Sequence, residues 1–120
     1  MYDDQNVFAK ILRGEIPSKK IAEDEYSLAF YDAFPKAVYH VLVIPKKPYI
    51  SFQDFSEKAS PEEMTSFTRM IGSVAKKLCL HETGYRVLSN HGADSGQEVP
   101  HFHVHICGGE PLGPLLSENK

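Results

Sequence analysis

The chain has 120 residues, of which 42% are apolar and 24% charged. That is the length of one compact domain with ordinary globular composition, which excludes disordered and fibrous classes and leads us to expect a single domain over residues 1–120. A net charge of −3, with basic residues no more clustered than Lys19–Lys20, Lys46–Lys47 and Lys76–Lys77, argues against nucleic acid as a partner.

In chain order, Val7, Phe8, Ile11 and Leu12 stand at helical spacing. Gly14 and Pro17 then stop the run, so a short amphipathic helix is expected over residues 6–13. Extended segments follow at residues 21–23, 26–31 and 39–45, separated by turn-prone stretches, and predict three antiparallel strands in a meander. Pro45 and Pro48 end the third strand, and a polar loop is expected from there to Ala59. Ser60-Pro61-Glu62-Glu63 is a capping box with proline in the first turn. Met64, Phe67, Ile71, Val74 and Leu78 continue it as one long amphipathic helix ending near Leu80. A fourth strand is expected at residues 84–89 and a fifth at residues 100–107, joined by a loop rich in Gly, Asp and Ser.

The two cysteines, Cys79 and Cys107, lack the spacing of a disulfide scaffold, and buried free thiols are expected. The first residues are acidic and polar, and no apolar run reaches the roughly 20 residues that span a bilayer. The expectation is a cytoplasmic protein without a membrane partner.

The chemistry concentrates in the fifth strand. Three of the six histidines, His101, His103 and His105, alternate with Phe102, Val104 and Ile106. In a strand this aims three imidazoles at one face and an apolar stripe at the other. Such a row suits nucleophilic or proton-transfer chemistry, since imidazole titrates nearest neutrality. Two alternatives fit the same pattern: a zinc site completed by His40 or His91, and a surface strand whose polar face is histidine. Against a shared metal, the Cα atoms of His101 and His105 should stand roughly 13 Å apart at about 3.3 Å per residue. The preceding loop, from Asn90 to Val99, has glycines that let backbone amides approach an anion.

The run His101-Phe102-His103-Val104-His105-Ile106-Cys107 resembles the signature of the histidine triad superfamily of nucleotide hydrolases and transferases. Residues 7–32, 40–47, 84–90 and 95–116 are similar to its protein kinase C inhibitor-like branch, the histidine triad nucleotide-binding proteins. The resemblance implies an α+β fold with a five-stranded antiparallel sheet, one long helix and a short N-terminal helix, and sheets paired in a homodimer. It implies a purine nucleotide substrate of the AMP or GMP type, hydrolysis of nucleoside 5′-phosphoramidates such as AMP-lysine, and no metal or other cofactor. Dinucleoside polyphosphate hydrolysis and non-catalytic nucleotide binding are the alternatives.

By the same resemblance His103 would be the nucleophile, its other ring proton held by a backbone carbonyl. His105 would contact phosphate oxygens and His101 would orient the nucleophile. Asn90, Gly96 and the backbone amides of Gln97, Glu98 and Val99 would cradle phosphate. Asp32 would hold the ribose hydroxyls, and Val7, Phe8, Ile11, Phe30 and Leu42 would line the base pocket. His40 would stand behind the triad. The chain departs from the family pattern at Glu98, where some relatives carry a leaving-group serine, and at Pro100, where an aromatic residue is common. It departs again at Pro48-Tyr49, where some carry a histidine. The tail after Gly109 is short.

Overall fold

The computed structural model describes residues 1–117. Its elements are α1 (Val7–Leu12), β1 (Lys20–Glu23), β2 (Ser27–Tyr31), β3 (Tyr39–Pro45), α2 (Phe52–Lys58), α3 (Pro61–Lys77), α4 (Leu80–Thr83), β4 (Tyr85–Leu88) and β5 (Val104–Gly108), with a 3-10 turn at Ala93–Ser95. The strands form one antiparallel sheet in the order β1-β2-β3-β5-β4, so the expected meander is extended by inserting the last strand beside β3. This is the α+β architecture expected from the sequence.

Both faces of the sheet are covered, which is why β2 and β3 are buried almost continuously instead of alternating. On one face Ala29, Val41, Val43, Val104 and Ile106 pack against Phe55, Phe67, Met70 and Val74 of α2 and α3. On the other, Leu28, Phe30, Leu42 and Ile44 pack against Phe8 of α1, with Ile11, Leu12 and Val99 at the margin.

The capping box at the start of α3 is present in both directions, with Ser60 and Glu63 each accepting from the other's backbone amide. The buried face, however, runs Glu63, Phe67, Met70 and Val74, while Met64 remains 36% exposed. Glu63 turns inward, where the Tyr49 hydroxyl donates to its carboxylate oxygens at 2.9 Å, while Phe67 and Val74 stay in the buried face as expected and Ile71 and Leu78 pack at its margin.

Four further expectations are corrected. Residues 48–59 are not merely a polar loop. Ser51 caps α2, and Phe55 buries itself among Tyr49, Phe67 and Phe102. Three aromatics, Tyr49, Phe52 and Phe55, in an otherwise mostly polar run were too few to show a period. The long helix stops at Lys77, where Cys79 adopts a left-handed conformation (φ 61) and the separate turn α4 begins. Cys79 is therefore exposed, and Cys107 is half-buried rather than buried.

The last strand starts at Val104, not Pro100. Pro100 has no amide to give a ladder, and upstream of Val104 the chain is captured elsewhere. The Phe102 amide donates to Tyr49 O at 2.7 Å and the His101 ring to Pro45 O at 2.8 Å. The alternation of sides survives the loss of the ladder, since Phe102, Val104 and Ile106 all join the core under α3. Residues 118–120 of the tail lie outside the described residues.

Candidate active site: a hydrogen-bonded chain of neutral imidazoles

Register places the site. Leu42 pairs with His105 and His40 with Cys107, so His40 and His105 share the sheet face that carries Phe30 and α1. His101 and His103 reach the same side from the segment before β5, where the Phe8 ring stands edge-on to both, with centroids 6.2 and 4.9 Å away. The His103 and His105 rings are 5.0 Å apart.

Each ring's proton can be assigned from partners that have only one possible role. The His103 Nδ1 lies 2.7 Å from His101 O, and a carbonyl only accepts, so Nδ1 carries the proton. Burial pushes the His103 pKa down, so the ring is neutral and Nε2 keeps a free lone pair. The Lys36 amide, which only donates, approaches His40 Nδ1 at 2.9 Å, so the His40 proton sits on Nε2. That proton points to His105 Nδ1 at 2.9 Å, leaving His105 with its proton on Nε2. The His105 pKa falls to about 4, through burial first and then the neighbouring rings of His103 and His40, and burial lowers that of His40 too. One sheet face thus presents a lone pair on His103 beside an N–H on His105. Such an arrangement can supply a nucleophile and a hydrogen-bond donor for an oxyanion, side by side.

Asp32 lies at the end of β2 with its Oδ1 accepting from the Phe34 amide at 2.8 Å, and its Oδ2 is 3.4 Å from His40 Nε2. Ligand atoms of Asp32, His40 and His105 all fall within 4.8 Å of one another, a spacing that suits a cation. The Lys36 amide opposes that use. It occupies the His40 lone pair, so a metal at Nε2 would have to displace the ring proton and orphan a backbone donor.

In the loop between β4 and β5, Ser89 donates to His103 O at 2.7 Å, and extending the β4–β5 register by two residues brings Asn90 level with His103. Gly96, with φ +77, closes the 3-10 turn. Gln97 is consumed inside the loop. Its amide donates to Gly92 O, its side-chain NH2 to Ile50 O and Val99 O, and its Oε1 accepts from Gly92. Among the described residues the Glu98 and Val99 amides have no hydrogen-bond partner. The Glu98 side chain is exposed.

Of the expected base-pocket residues, Phe8, Phe30 and Leu42 are buried as core of the α1 face. Ile11 is half-buried and Val7 exposed, so only these two offer an open edge.

Two participants were missed in the sequence. The Tyr2 hydroxyl lies 2.6 Å from His101 Nδ1, and Ser89 supports the His103 carbonyl. No periodicity flags Tyr2. Ser89 could have been suspected only from its place beside Asn90.

Residues 13–112 match the model of the HIT domain, and the chain belongs to that family. It is 50% identical over 117 residues to an uncharacterized HIT-like protein of Azospirillum brasilense, covering 98% of this chain and 96% of that one. It is 38% identical over 117 residues to the purine nucleoside phosphoramidase of Escherichia coli K12, covering 95% of each. Among solved structures, a histidine triad protein from Clostridium difficile superposes with a TM-score of 0.83 at 42% identity, covering 97% of this chain and all of that one.

Proposed function

We propose that the protein is a hydrolase of purine nucleoside 5′-phosphoramidates, acting through a nucleotidyl-histidine intermediate. The observation that carries the reading is the His103 Nδ1–H bond to its neighbour's carbonyl, which leaves Nε2 as a neutral, oriented nucleophile beside the His105 donor. The likeness to the E. coli phosphoramidase supports the substrate class.

In this reading Nε2 of His103 attacks the α-phosphorus, the P–N bond breaks, and the amine leaves after taking up a proton. Water then cleaves the P–N bond to His103, releasing the nucleoside monophosphate and restoring the ring. His105 Nε2–H, Asn90 with Gly96, and the Glu98 and Val99 amides hold the phosphoryl oxygens as charge builds on them. Asp32 accepts from the ribose hydroxyls, and the purine lies along the edge formed by Val7 and Ile11 over the floor of Phe8, Phe30 and Leu42. The edge strand β4, with Tyr85, Val87 and Leu88 exposed, supports pairing with a second copy in a homodimer.

Intact-protein mass after mixing with adenosine 5′-phosphoramidate tests the reading. A nucleotidyl adduct and AMP release are expected in the wild type and neither in His103→Ala. Full turnover by His103→Ala would sink the mechanism. Slower turnover of the phosphoramidate than of diadenosine polyphosphates would move the substrate class.

A further inference from the structure

His101 is 0% exposed, yet its ring is held at both nitrogens. Nε2 donates to Pro45 O at 2.8 Å, so the remaining Nδ1 offers a lone pair. The partner of that lone pair is the hydroxyl of Tyr2, ninety-nine residues away in sequence, at 2.6 Å and with the two rings edge-on. The backbone of the same histidine carries the carbonyl that fixes His103. Burial pushes the Tyr2 hydroxyl pKa up, so it stays protonated and can only donate here.

We infer that Tyr2 is a positioning residue for the nucleophile: by donating to His101 Nδ1 it clamps residue 101 between the N-terminal segment and β3, and so sets the carbonyl that orients His103. Without the hydroxyl, Nδ1 is a buried acceptor with no donor. The ring then gains from turning over or from drawing water in, and either movement is passed directly to the carbonyl at 101. The segment bearing Tyr2 is itself anchored. Asn6 Nδ2 donates to Asp3 O and Arg13 to Asp4 O, each at 2.7 Å, which makes Tyr2 a fixed strut instead of a loose end. Its effect on turnover rests on the phosphoramidase reading, whereas the clamp on His101 does not.

The test compares the full chain with Tyr2→Phe, by steady-state kinetics on adenosine 5′-phosphoramidate and by nitrogen NMR of the imidazoles. Expected are a fall in kcat of about tenfold, equivalent to about 1.4 kcal/mol, with KM and AMP affinity unchanged and the His101 Nδ1 resonance moved downfield as its donor is lost. An unchanged kcat overturns the proposal. So does a fall in kcat that comes with weakened AMP binding, or with the His101 resonance unmoved, because a general loosening gives that pattern. If the wild type shows no turnover, the functional reading falls and the Nδ1 resonance alone upholds or overturns the clamp. Should Tyr2→Phe fail to fold, the wild-type spectrum decides: a His101 proton on Nε2 supports the proposal and one on Nδ1 overturns it.

Discussion

Lowering the pH from 7 to 5 should destabilise the fold before its carboxylates begin to titrate, and His101 supplies a calculable share. Burial holds its pKa near 4 in the folded chain, against about 6.5 when unfolded. Below pH ~6.5 the unfolded chain takes up a proton that the folded one refuses, so stability present above that pH is lost as pH falls toward 4. A gap of about 2.5 units corresponds to about 3.4 kcal/mol in total, and about 2 kcal/mol of it disappears between pH 7 and pH 5. The carboxylates with lowered values, Glu23 at about 2 foremost, lose their contribution only below the unfolded carboxylate range of about 4–4.5, so they leave this window clear. Urea unfolding of wild type and His101→Asn at both pH values measures the effect. The difference within each protein is the readout, so any fixed cost of the substitution cancels. The variant should lose about 2 kcal/mol less than the wild type over this interval. Equal losses in the two proteins would refute the assignment of a buried, neutral His101.

Cys79→Gly removes a side chain from a left-handed backbone position after α3 and should raise stability by about 0.5–1 kcal/mol in urea unfolding, after the added freedom of the unfolded chain is counted. Tyr49→Phe leaves the buried Glu63 carboxylate one donor short, and a loss of about 1–3 kcal/mol in the same assay is expected. His40→Ala frees His105 Nδ1 from its donor and lets the other tautomer form. Phosphoramidate turnover should then fall by about tenfold or more, with His105 nitrogen shifts reporting the tautomer change.

The primary sequence determined the elements whose signals are local. The strand Tyr39–Pro45 is bounded by proline, and α3 announces itself through Ser60, Pro61 and Glu63. The alternation from His101 to Ile106 separates imidazoles from core even where no ladder forms. These follow from period and capping, which a few neighbouring residues express by themselves. Tertiary structure decided what depends on partners distant in sequence. It turned Glu63 inward toward Tyr49, made a helix of residues 52–58 around Phe55, and covered the second sheet face with Phe8. It also set the protons. Imidazole offers two nearly equivalent tautomers, and nothing in the alternation of residues 101–105 chooses between them. For His103 the choice falls to the nearby His101 carbonyl, but for His101 it falls to the Pro45 carbonyl and the Tyr2 hydroxyl, 56 and 99 positions away, and for His105 to His40, 65 positions away, whose own proton the Lys36 amide places. A row of histidines was therefore legible as a candidate site, while its division into lone pair and donor required the fold to bring those groups within about 3 Å.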